Sequence, residues 1–242
     1  MENQSNKEVL YLRDKLASVI YKGDRFKISV GNNKEIFGAT SDDLKDPFYK
    51  LVEIKEMYKT IVEIDKKIQI SINEAIRYAD LDPLKDNFSF LEVSENQFIA
   101  YYFIENALFR VSSLWDLLAQ LYNIYYDIRL PIDELYYYKF FTSKIYKNII
   151  GKKIGLYLNQ KDNTNCEGEW QGNHRYVKNL RNKMTHRNSP NITTINNSDI
   201  EFKLPPIYLL KRITEDYATA SKYIDELLNK AQKNLKNPFN KK

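Results

Sequence analysis

Residues 95–128 read ENQFIAYYFIENALFRVSSLWDLLAQLYNIYYDI, the most strongly apolar long segment of the chain. Its polar residues are not scattered. Asn106, Arg110, Ser113, Asp116, Gln120, Asn123 and Asp127 recur at steps of three or four, which on a helix forms one stripe on an otherwise apolar rod. A strand would alternate at every second residue instead. With Ser94 ahead of it as a cap, the segment predicts a helix from Glu95 to Ile128. Two readings of the stripe stand. Either it faces water, or its middle, Ser113 and Asp116, lines a polar cleft against a neighbouring helix.

The segments on either side share the helical period. Leu51, Ile54, Met57, Tyr58, Ile61, Ile64 and Ile68 keep it as far as about Asp80; Ser41 and the acids after it signal the start, and Pro47 suits a first turn. Residues 7–21 form a short amphipathic helix on Val9, Leu10, Leu16 and Ile20. Between these two, DRFKISVGNNKEIFG (24–38) places short apolar runs around Gly31-Asn32-Asn33, as in a small hairpin or extended loop. Downstream, Pro131 closes the apolar segment and Leu135 to Ile150 restarts as a helix headed by YYYKFF. Those aromatics read as core rather than as platforms for stacked bases. A polar connector (158–172) leads to a helix over about 171–187. RNSPNITTINNSD (187–199) is a loop by composition, and a last helix runs from Pro206 to about Asn234.

Only 7 Gly and 7 Pro punctuate 242 residues, too few turn signals for an all-β sandwich or barrel. The expected fold is all-α: a bundle of about five long helices with a small irregular or hairpin insert near the N-terminus. Residues 1–90 read as a helical elaboration packed on a core at 91–242, together one compact unit.

Charge is distributed unevenly. The net charge is only +5, yet no Asp or Glu occurs from Trp170 to Ser198, where Arg175, Lys178, Arg181, Lys183, Arg187 and both histidines of the chain, His174 and His186, lie. A polyanion would find its strongest local attraction there, unless acids from elsewhere in the fold answer these charges. One cysteine, Cys166, excludes an internal disulfide framework. The N-terminus has no apolar signal core and no run is long enough to span a bilayer, so a cytoplasmic protein with no membrane partner is expected. Glycine-rich phosphate loops, GxSxG, HExxH and CxxC are absent. Two His and one Cys make an N/S-ligated metal site unlikely to form, so no metal or cofactor is expected.

These absences concentrate interest on HRYVKNLRNKMTHRNSP (174–190). Val177, Leu180 and Met184 form an apolar face, whereas His174, Lys178, Arg181 and Asn182 form a basic, polar one. Arg181 and His186 are five residues apart and point about 140° apart on a regular helix. Pro190 ends that helix just beyond, so His186 lies in a last turn that can open toward Arg181, where the helix C-terminus favours an imidazolium. His174 is expected at the surface of the helix start, satisfied there or touching phosphate.

Arg181-Asn182-x-x-x-His186, on a late helix of an all-α chain, resembles the R-x(4–6)-H signature of the HEPN superfamily. The segment FRVSSLWDLLAQLYN is similar to its second core helix. The likeness covers roughly Glu95 to the C-terminus. It implies a metal-independent endoribonuclease acting as a homodimer on RNA, with two motifs facing each other across a cleft and products ending in 2′,3′-cyclic phosphate. By that resemblance His186 is the general acid/base, Arg181 the phosphate clamp, and Asn182 orients one of them or the phosphate. Lys178, Lys183, Arg187, Arg175 and His174 would bind substrate, and Asp116 and Ser113 would support the site from behind. The setting implied is a toxin or anti-phage effector, with a cognate antitoxin or regulatory protein as a possible partner. One departure is Asn188, which stands where a toxin subgroup has a Tyr modified by a partner nucleotidyltransferase. Two alternatives remain open. One is a non-catalytic HEPN-like module that binds RNA or nucleotide; the other is a helical interaction protein docking a partner on the 106–127 stripe.

Overall fold

The computed structural model describes residues 2–21, 25–26, 47–81, 93–143, 148–162, 171–186, 194–196, 199–201 and 203–236, except the side chains at 2–6, 47–48, 186, 194–201 and 234–236. Among these, seven α-helices build the fold: α1 (Glu2–Ala17), α2 (Pro47–Leu81), α3 (Glu95–Tyr125), α4 (Tyr137–Thr142), α5 (Ile149–Leu158), α6 (Asn173–His186) and α7 (Pro206–Lys236). The expected all-α bundle is what the chain forms. Ser94 caps α3 as its sequence position predicts, its side chain accepting the Gln97 N–H at 3.1 Å.

α3 is the spine of the bundle. It packs against α2, α4, α6 and α7, and α7 in turn contacts α1, α2, α3 and α6. The spine is buried because its apolar positions encircle more than one face: Ile104, Leu108, Val111, Leu114, Trp115, Leu118, Leu121 and Tyr122 are all withdrawn from solvent. The polar stripe answers to both readings. Ser113 and Asp127 face water, Asp116 and Gln120 are half-buried, and Asn123 is buried. Asn123 terminates the helix, its amide donating to the Leu130 carbonyl and its Oδ1 accepting the Leu130 N–H, both at 3.0 Å. With Asp127 and Arg129 at φ 57° and 61°, this left-handed turn ends α3 at Tyr125, short of the expected Ile128.

Three expectations need correction. Residues 135–150 do not form one helix. Ser143 is extended (φ −69°, ψ 149°), which splits the segment into α4 and α5, with a 3₁₀ turn at Ile132–Glu134 ahead. Asn148 then caps α5 by accepting the Gly151 N–H at 2.8 Å. The two short helices pack closely, since a Cβ on Gly155 would lie 2.5 Å from the Phe141 carbonyl oxygen. Second, the 187–199 loop contains β-structure: Thr194–Asn196 pairs antiparallel with Asp199–Glu201, Ile195 opposite Ile200. The β-branched residues and a two-residue connection favour that pairing over open coil. Third, His174 is not at the surface. Of the YYYKFF run, Tyr137, Phe140 and Phe141 are core, as read from the sequence. The expected hairpin at 24–38 and the helix start at Ser41 lie outside the described residues, apart from Arg25 and Phe26.

Among the described residues no helix is long and apolar enough to cross a membrane. On the far side of the bundle from α6, Tyr217 of α7 donates a hydrogen bond to Asp65 of α2. Burial pushes the Asp65 carboxyl above its usual pKa, partly opposed by that bond. A carboxyl with a raised native pKa favours the fold most when protonated, and this contribution is lost as pH rises through the native value. Asp65→Asn is therefore expected to raise the melting temperature at pH 7 and to lose that advantage below about pH 4. A gain that persists unchanged at pH 3 would show another cause.

Candidate functional site

The first turn of α6 is held by a buried polar cluster. His174 is 1% exposed; its Nδ1 lies 3.2 Å and 3.3 Å from the two carboxylate oxygens of Asp216 on α7, itself fully buried. Trp115 of α3 donates from Nε1 to Asp216 Oδ2 at 3.0 Å, and Tyr157 of α5 donates its hydroxyl to Oδ1 at 3.0 Å. Burial and the neighbouring carboxylate push the Tyr157 phenol well above its ordinary pKa, so it stays a donor. On the other side of the imidazole, Tyr137 Oη of α4 lies 3.3 Å from Nε2. The Trp115 indole is sandwiched between the Tyr157 and Tyr137 rings, with centroids 5.8 and 6.2 Å away, and meets the imidazole edge-on at 5.0 Å. Three helices thus converge on one carboxylate carried by a fourth, and α4 joins through the imidazole.

The connector before α6 is fixed as firmly. Arg212, fully buried on α7, donates to the Gln171 carbonyl at 3.2 Å, to Asn173 Oδ1 at 2.7 Å, and to Asp162. Gly172 sits at φ +69°, and a Cβ there would lie 2.5 Å from the Asp162 backbone nitrogen. Glycine is required on both counts.

Two turns along α6, the cationic face begins. Arg181 follows His174 by seven residues and lies within about 20° of it around the helix. Its Nη1 donates to Asn182 Oδ1 at 3.1 Å, and its Nε is buried with no hydrogen-bond partner among the described residues. Asp116 on α3 feels its charge. Burial raises the Asp116 pKa, while Arg181 and a hydrogen bond from the Tyr137 backbone N–H oppose the rise. Lys178 Nζ stands 3.2 Å over the Tyr138 ring, and burial together with Arg175 and Arg181 depresses its pKa.

The expected site residues therefore divide. Arg181, Asn182 and Asp116 come together; Lys178 and exposed Arg175 and Lys183 ride the same helix. Ser113 is exposed and bonds the Phe109 carbonyl of its own helix at 3.1 Å. His174 is corrected from surface group to buried anchor, out of reach of a phosphate. α6 ends at His186 as the sequence predicts; the His186 side chain and Arg187 lie outside the described residues. The sequence reading missed Trp115, Tyr137, Tyr157, Asp216 and Arg212. A signal existed for the last two: both sit among Leu209, Ile213, Ala220 and Ile224 on the apolar face of α7, where a charge must have a partner. Among the described residues no group of three or more His, Cys, Asp or Glu side chains could hold a metal ion.

The helical bundle thus presents a cationic helix with no acid of its own, with Arg181 and Asn182 hydrogen-bonded near its end. The chain belongs to the HEPN superfamily: a family model described as Cthe2314-like HEPN matches residues 44–241. The matched span takes in α2 as well as the helices from Glu95 onward. No curated protein and no solved structure matches the chain.

Proposed function

We propose that the protein is a metal-independent endoribonuclease whose site is Arg181, Asn182 and His186, working as a dimer in a toxin or anti-phage setting. The observation that carries this reading is the placement of Arg181. Its guanidinium is joined to Asn182 and near Asp116, on a helix with no acid of its own, in a chain of a superfamily many of whose members cleave RNA. RNA carries its own nucleophile, so the protein needs few groups. The 2′-oxygen attacks the adjacent phosphorus, the bond from phosphorus to the 5′-oxygen breaks, and that oxygen leaves with a proton. His186 serves in proton transfer near neutral pH. Arg181 neutralises the charge growing on the phosphoryl oxygens with a fork matched to them. Lys178, Lys183, Arg175 and Arg187 hold the flanking backbone.

Labelled RNA and DNA of one sequence, incubated with the protein in EDTA, test this directly. RNA alone is cut, the product carries a 2′,3′-cyclic phosphate, and His186→Ala loses the activity. Cleavage of DNA at a comparable rate, or full activity in His186→Ala, overturns the mechanism. RNA binding without cleavage at any concentration supports the non-catalytic module instead.

A further inference from the structure

We propose that the buried Asp216–His174 pair is a positioning device for Arg181, acting on it by fixing the rotation of α6. The links run in order. Asp216 holds the imidazole at Nδ1, and the imidazole meets the Tyr137 hydroxyl at Nε2. Arg181 also acts on the Asp116 carboxyl of α3, opposing the rise that burial gives its pKa. Burial and the Asp216 and Asp116 carboxylates keep the Tyr137 phenol protonated, so it meets Nε2 as a hydroxyl. His174 and Arg181 share one face of α6, so locking the imidazole also fixes the rotation of that helix about its axis. The Arg181 Nε is buried without a hydrogen-bond partner among the described residues and its Nη1 bonds Asn182 of the same helix, so the guanidinium follows the rotation of α6. Asp216, His174 and Tyr137 are 0%, 1% and 3% exposed, too little to meet substrate. They act through Arg181 or not at all.

The catalytic arm of this proposal rests on the ribonuclease reading; its structural arm does not. Two measurements on the full chain separate them. The first follows the Arg181 Nε–H signal in nitrogen-edited NMR spectra, assigned by its loss in Arg181→Lys. The second is RNA cleavage with kcat and KM resolved. Tyr137→Phe keeps the ring and removes only its hydroxyl link, and Asp216→Asn keeps the shape of the hub. Tyr217→Phe removes a comparable buried hydroxyl bond on a different face of α7, toward α2, and serves as control. In Tyr137→Phe and Asp216→Asn the Arg181 signal shifts, and kcat falls about 10-fold with KM unchanged. In Tyr217→Phe only the melting temperature falls. An unmoved Arg181 signal in folded Tyr137→Phe overturns the proposal, as does an equal shift in the control. If Asp216→Asn does not fold, Tyr137→Phe decides alone. If the wild-type protein cuts no RNA, the ribonuclease reading fails and the NMR signal still decides whether the linkage exists.

Discussion

Arg212→Met lowers the unfolding free energy by about 3 kcal/mol. Methionine replaces the buried stem at similar volume, so little of the loss comes from a cavity. What is lost is the fork. The buried Asn173 Oδ1 loses a charged donor, which costs about 1–3 kcal/mol, and the carbonyl of exposed Gln171 loses one at smaller cost. Asp162 adds little, because its side chain is 32% exposed and can turn to water. The guanidinium also lies 4.7 Å from the Tyr176 ring centroid, a contact methionine replaces only in part. Arg212→Lys is expected to recover little, since one ammonium cannot span three acceptors fixed for a planar group. Urea titration reads the loss as a lower midpoint at unchanged slope. A change under 1 kcal/mol would show that the connector holds itself.

Arg181→Ala is expected to slow RNA cleavage by about 10²–10³-fold, mainly in kcat. In the proposed mechanism the clamp acts where charge grows on the phosphoryl oxygens, so ground-state binding, which that mechanism shares among Lys178, Lys183 and Arg175, falls much less. Arg181→Lys restores the charge without the fork and recovers only part of the rate. The loss in Arg181→Ala/His186→Ala is expected to be smaller than the product of the two single losses, because both groups serve one transition state. Wild-type kcat in Arg181→Ala would remove arginine from the mechanism.

Much of this was legible in the sequence, and the reasons for success and failure are physical. The long helices were visible because a 3.6-residue period sustained over 31 residues of α3 has no competing reading. The break at Ser143 was not, because the apolar period continues from Tyr137 to Leu158 while the chain direction changes, and direction is set by α4 packing on α5 through Gly155. The β-ribbon at 194–201 was hidden by its short strands, three residues each. Arg181-Asn182 stood out as a local pattern. The groups behind it did not: a histidine two turns earlier looks like surface until Asp216 and Trp115, distant in sequence, are known to lie against it. A buried polar cluster is a property of helix packing, and one helix at a time does not reveal it.

The bonds that converge on Asp216 span 101, 59 and 42 residues of chain. During synthesis the N-terminal helices emerge first, and α3, α5 and α6 are all made before α7 supplies the carboxylate they share. A nascent chain that has exposed the Arg181 motif still lacks the group that anchors its helix. Order of synthesis thus delays assembly of this hub until most of the bundle can fold around it.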